Sequence, residues 1–271
     1  MYTLSKSYLF RAQLAVVLLL LLASCMKKPE NIQDYNLLDG VYGKGGIPVT
    51  YGLPYENPVH TLKIYIEGDG RGWINKRTPS GDPTPSHSLV LRLMQLDVEN
   101  SLYLSRPCQY YLNENCQQFY WTEGRHAGVL VDAMNAAITE LKQTYNAKEI
   151  ELIGHSGGGT MAMLIASKRS DITRILTVAA NLDVEEFARI HKVTPMKGSL
   201  NPMDVTDKLK NIPQLHLVGG KDEVVLPKLV QRFIEKINSP CVHYKNYPEN
   251  GHNAGWENVW RDVLAIDIQC K

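Results

Sequence analysis

The chain has 271 residues, of which 44% are hydrophobic and 21% charged, enough apolar material for a full core in one large domain. Its 29 basic and 28 acidic residues give a formal net charge of +1, which lacks the basic excess that nucleic-acid binding requires. The sequence has no C-x-x-C pair and no His/Cys cluster, so neither a metal site nor a cofactor is expected.

The N-terminus, "MYTLSKSYLFRAQLAVVLLLLLASC", places Lys6 and Arg11 before a ten-residue apolar run from Leu14 to Ala23. That run is too short to span about 30 Å of hydrocarbon and has the length of a signal-peptide core. Its end, Leu22-Ala23-Ser24-Cys25, resembles the lipobox of bacterial lipoproteins. The resemblance implies removal of residues 1–24 and lipidation of the Cys25 thiol. The exported domain would then be anchored to a bacterial membrane and face the periplasm or the cell exterior. Loss of Lys6 and Arg11 would leave 27 basic against 28 acidic residues. "MKKPENIQDYNLLDG" reads as a polar tether, and residues 25–58 are expected to hold this tether and N-terminal strands ahead of a domain spanning 59–271.

"HTLKIYIEGDGRGW" holds a strand from Leu62 to Ile66 that ends in Gly68-Asp69-Gly70, and "INKRTPSGDPTPSH" is loop by its Pro, Gly and Ser content. "SLVLRLMQLD" has helical spacing, "SLYLSRP" is a short strand, and "CQYYLNENCQQFYWTEGR" is a polar, aromatic loop. "HAGVLVDAMNAAITELKQTY" repeats apolar residues at three and four, the pattern of an amphipathic helix. Strand and helix then alternate: strand 149–153, helix 158–169, strand 172–178, an irregular and helical insert, strand 213–218, helix 227–237, strand 241–246 and helix 254–268. Alternation of this kind predicts an α/β fold, a mostly parallel twisted sheet with helices on both faces. The short 179–212 insert predicts a small cap or none.

With Cys25 assigned to lipid, Cys108, Cys116, Cys241 and Cys270 form an even set in an oxidising compartment. Of the three pairings, we favour Cys108 with Cys116, closing a short loop, and Cys241 with Cys270, tying a late strand to the C-terminal helix.

"IELIGHSGGGT" (150–160) reads as strand, sharp turn and helix around Gly154-x-Ser156-x-Gly158. A serine on such a turn leaves no room for Cβ atoms two residues away on either side, and glycine removes the clash. The turn also sets Ser156 at a helix N-terminus, where free N–H groups and the dipole favour an oxyanion. A nucleophilic serine needs a base, and the base an acid, both at the C-terminal ends of strands. Of eight histidines, His216 and His243 fall inside strands, His60 precedes one, His87 and His126 start helices, His191 lies in the insert and His155 inside the turn. His252, in "YPENGHNAGW", follows the last strand and remains. For the acid, "LHLVGGKDEVV" offers Asp222 and Glu223; the shorter arm favours Asp222, with Glu223 and then Asp204 as alternatives.

Strand-"GHSGGG"-helix, "LVGGKDEVV" and "NGH" in this order, with "EGDG" after an early strand, resemble the α/β-hydrolase fold superfamily over residues 59 to 269. "YIEGDGRGW", "DPTPSH", "SRPCQYY" and "YWTEGR" are similar to poorly characterised exported bacterial hydrolases. The resemblance implies an oxyanion hole from the N–H groups of Gly157 and Asp69, with Gly70 as the alternative. The chain lacks the HGGG-type loop and long lid of lipases, which argues against long-chain triglycerides. A monomeric serine hydrolase acting on a small acyl substrate is expected, cleaving an ester, thioester or amide, with an esterase preferred. Gly70, Trp73, Trp121 and His155, with Tyr120, are candidates for the substrate pocket. Two rivals stand beside it: an acyltransferase with the same triad, and a non-catalytic surface binding lipoprotein on a hydrolase scaffold.

Overall fold

The structure, a computed structural model, describes residues 37–42, 46–52, 59–75, 77–97 and 100–270; Cys25, its lipobox and most of the expected tether lie outside them. The strands are β1 (Leu37–Tyr42), β2 (Ile47–Gly52), β3 (Thr61–Ile66), β4 (Ser101–Leu104), β5 (Glu149–His155), β6 (Ile172–Val178), β7 (Gln214–Gly219) and β8 (Val242–Tyr247). They form one eight-stranded sheet in the order β1-β2-β4-β3-β5-β6-β7-β8. From β4 to β8 all neighbours pair in parallel, while β2 is antiparallel to both β1 and β4.

The helices are α1 (Leu89–Leu96), α2 (Gly128–Thr144), α3 (Gly157–Ala166), α4 (Val184–His191), α5 (Thr206–Leu209), α6 (Pro227–Ile237) and α7 (Trp256–Leu264). The strand pleat divides the core into two layers. Leu62, Ile64 and Ile66 face one way with Ile150 and Leu152, packing against α2, α3 and α6. Tyr65, Tyr103, Ile153, Leu176 and Leu217 face the other way, against α1 and α7. Trp256 and Trp260 of α7 are fully buried there, and truncating either to alanine would cost about 3–5 kcal/mol. Local signals fix the helix ends: Ser88 caps α1 by accepting from Leu91 N at 3.0 Å, Asp183 caps α4 from Glu186 N at 3.1 Å, and Pro227 opens α6.

The sheet begins at Leu37, so the end of the expected tether, Leu37–Gly40, is strand. The C-terminal helix is shorter than expected, because Gly255 at φ +90° starts it and the chain leaves it at Ala265. Both expected disulfides form, Cys108 with Cys116 and Cys241 with Cys270. After β3 the chain moves outward to β4 and then returns to β5 on the other side of β3. This reversal opens a crevice beyond the C-terminal ends of β3 and β5, where such sheets place ligands.

Candidate active site

Ser156 sits at that crevice, directly after β5, with φ 53° and ψ −123°, a backbone region costly for any residue with a Cβ. The surrounding glycines permit it: a Cβ on Gly154 would lie 2.4 Å from Gly158 O, and one on Gly158 would lie 2.3 Å from Ile66 O. The turn is anchored by Ser156 N–H donating to Val178 O at 2.9 Å. α3 starts at Gly157 and is buried along its length, so the nucleophile candidate stands on a rigid element.

His252 comes from the loop between β8 and α7, and Asp222 from the turn after β7. Asp222 Oδ2 accepts from His252 Nδ1 at 2.9 Å, which leaves Nε2 to accept from the Ser156 hydroxyl at 3.1 Å. The other Asp222 oxygen accepts from Val224 N and Val225 N, both at 2.8 Å, so the fully buried carboxylate is held at both ends. Glu223 is exposed, and Asp204 lines a separate cleft with Val184 and Lys197. His155 Nε2 donates to the His252 carbonyl at 3.0 Å, and Trp256 Nε1 reaches the same oxygen at 3.2 Å. Burial, with His252 beside it, pulls the His155 pKa down to about 3. A neutral ring therefore braces the loop that carries His252.

Ser156 and His252 open onto a cavity of about 600 Å³ lined also by Gly70, Trp73, Arg125 and His155. Asp69 lies against Gly157, where an added Cβ would fall 1.9 Å from its Oδ1. Among the described residues the Asp69 and Gly70 amides make no hydrogen bond, and Gly157, as the first helical residue, has no intrahelical acceptor. Gly70 needs its φ of +62° and its lack of a side chain, since a Cβ there would meet Pro83 O at 2.1 Å.

The esterase Pf2001 of Pyrococcus furiosus superimposes with a TM-score of 0.57 at 16% identity, over 85% of this chain and 89% of that one. Est1E of Butyrivibrio proteoclasticus gives 0.57 at 14%, over 84% and 95%. The acylaminoacyl peptidase of Pyrococcus horikoshii gives 0.59 at 10%, over 85% of this chain and 39% of that one. The chain has the α/β-hydrolase fold. No family model matches its sequence. Protein bem46 of Schizosaccharomyces pombe is 26% identical over 155 residues, 51% of each chain, so the match spans about half the length of that relative.

The turn after β3 is charged for a reason that sequence reasoning missed. Asp69 Oδ1 accepts from Arg106 Nη1 at 2.8 Å and Oδ2 from Arg125 Nη1 at 3.0 Å, with buried His126 at 3.7 Å. Burial alone would raise the Asp69 carboxyl pKa, but Arg125 and Arg106 outweigh it and hold it well below the carboxylate range. Burial lowers His126 to about 3, against the pull of Asp69. Behind them Glu67 accepts from Gly68 N at 2.8 Å, Tyr103 Oη at 3.0 Å and Ser88 Oγ; burial pushes its pKa up despite these donors. Gln109 Nε2 donates to Gly68 O at 3.1 Å. The signal was present: "YIEGDGRGW", "SRPCQYY" and "YWTEGR" contain Glu67, Asp69, Arg106, Gln109 and Arg125.

Gly70, Trp73 and His155 line the cavity. Trp121 does not. It is buried with Nε1 donating to Ser80 O at 2.9 Å, a packing anchor for the segment around Ser80, and Tyr120 packs on the core beside it.

Proposed function

We propose that the protein is a serine hydrolase, most simply an esterase, working through an acyl-enzyme. The observation that carries this reading is the single imidazole of His252, within hydrogen-bond reach of Ser156 Oγ at 3.1 Å and Asp222 Oδ2 at 2.9 Å. Ser156 Oγ attacks the carbonyl carbon and its proton passes to His252 Nε2. Asp222 stabilises the imidazolium and keeps Nδ1 as the donor. The oxyanion takes the N–H of Gly157 and that of Asp69 or Gly70, which have no other acceptor among the described residues. His252 then returns the proton to the leaving group. In the second half-reaction the same base takes a proton from water, which attacks the acyl carbon and releases the acid and Ser156. The names of the structural neighbours, two esterases and an acylaminoacyl peptidase, support this chemistry. We further propose that the protein acts as a monomer exported and lipid-anchored at Cys25. The two disulfides are compatible with export, and among the described residues no helix is long and apolar enough to cross a membrane.

The test is labelling by a fluorophosphonate probe. Wild-type protein should be labelled and Ser156→Ala should not, with at least about a thousandfold loss of turnover on an activated short-chain ester. Labelling retained in folded Ser156→Ala would sink the mechanism.

A further inference from the structure

Two guanidinium groups at the cavity wall, Arg125 and Arg71, keep donors that no acceptor among the described residues takes. Asp69 is shared by two guanidinium groups, Arg106 and Arg125, so that trio carries one excess positive charge beside Ser156. His126 adds none, being held neutral by burial. Arg92 of the same wall is matched by Glu257 at 2.6 Å, while Glu67, also in that wall, accepts from Gly68, Ser88 and Tyr103 and is pushed by burial toward its neutral form. Arg125 is anchored through two of its nitrogens, Nε to Thr122 O at 2.8 Å and Nη1 to Asp69. Its Nη2 makes no hydrogen bond among the described residues and is not sealed in the core, while the residue lines the cavity. Arg71, exposed at the same wall, has no acidic or hydrogen-bonding partner for its head group among the described residues. A guanidinium fixed on two sides, in a residue that lines a cavity and with a third donor unspent, is pre-organised for a planar anion.

We infer that this cavity takes a substrate bearing a carboxylate a few bonds from the scissile carbonyl, received by Arg125 and Arg71. The identity of the reacting bond rests on the hydrolase reading above, whereas the anion selectivity does not. A carboxylate completes the donor set of Arg125 and gives the Arg71 head group a partner. A purely apolar acyl chain would leave both unmatched in a partly desolvated site.

Two measurements separate this inference from the catalytic reading. In the first, Ser156→Ala protein is titrated calorimetrically with monomethyl glutarate and with dimethyl glutarate. The monoanion should bind at least about tenfold tighter. The difference should shrink in about 0.5 M salt, where the Debye length is short, and shrink again when Arg71→Gln or Arg125→Lys is added. Arg125→Lys keeps the charge opposite Asp69 but loses the fork, and Arg71→Gln changes an exposed residue, so at least one folded variant is secured. Equal affinities, no binding of either ligand, or indifference to both variants overturns the inference. In the second, wild-type kcat/KM on mono-4-nitrophenyl glutarate is compared with that on 4-nitrophenyl valerate, a neutral ester of matched length. Preference for the charged ester is expected. An enzyme that the fluorophosphonate labels but that prefers the neutral ester overturns the inference and spares the mechanism. Carboxylate-selective binding without labelling does the reverse.

Discussion

Asp69→Asn is the sharpest structural perturbation of the site. Each carboxylate oxygen of Asp69 accepts from a different arginine, Arg106 at 2.8 Å and Arg125 at 3.0 Å. Asparagine keeps one acceptor and turns an NH2 donor toward the other guanidinium, while the negative charge disappears. The Arg106 side chain is 6% exposed, its Nε already lacks a partner, and its remaining contact is with Arg125 O. Removing one member of such a buried pair costs about 3–5 kcal/mol, chiefly from the charge left behind. At roughly 2–4 °C per kcal/mol for a domain near this size, the melting temperature should fall by roughly 6–20 °C at neutral pH. Differential scanning calorimetry reads this directly. The sign with pH follows from the depressed Asp69 pKa: the folded state binds the proton later than the unfolded chain does. The advantage of wild type over Asp69→Asn is therefore complete above the unfolded value of about 3.9 and shrinks as pH falls below it. Replacing both partners, in Asp69→Asn/Arg106→Met, should recover part of the loss. A single variant melting within about 2 °C of wild type would refute this account of the trio.

The acid assignment predicts that Asp222→Asn lowers kcat by about a thousandfold or more near neutral pH, because the charge that stabilises imidazolium is lost and the tautomer is freed, while exposed Glu223→Gln stays within a few-fold; steady-state kinetics on one activated ester decides between them. Gly158→Ala should fail to give folded protein, since its Cβ would lie 2.3 Å from Ile66 O and 2.5 Å from Glu67 O, both backbone atoms that cannot swing aside; soluble yield and circular dichroism test it. His155→Ala removes a donor to the His252 carbonyl but no reacting group, so kcat should drop on the order of tenfold with KM little changed and fluorophosphonate labelling slowed but retained. Cys25→Ser should release the protein from membranes; a variant that still fractionates with them after a carbonate wash refutes the anchor.

The parts of this site that were legible in the sequence answer to local constraints. A serine on a strained turn needs glycines at fixed offsets, so Gly154, Ser156 and Gly158 announce one another, and strand ends bounded by "GGKD" and "ENGH" place Asp222 and His252 at the same edge of any parallel sheet. The Asp69 trio answers to topology instead. Arg106 follows β4 and Asp69 follows β3, strands that pair through Tyr65 with Tyr103 and Ile66 with Leu104; Arg125 arrives from a third loop with no periodic pattern. No spacing along the chain encodes that meeting, because it exists only once the sheet reverses direction at β3. The same reasoning explains the misplaced Trp121, since an aromatic in a loop looks available until the fold supplies Ser80 O for its indole N–H. Local chemistry thus singled out Ser156, His252 and Asp222 as candidates, whereas the charge that would select a substrate was assembled by the crossing of three segments.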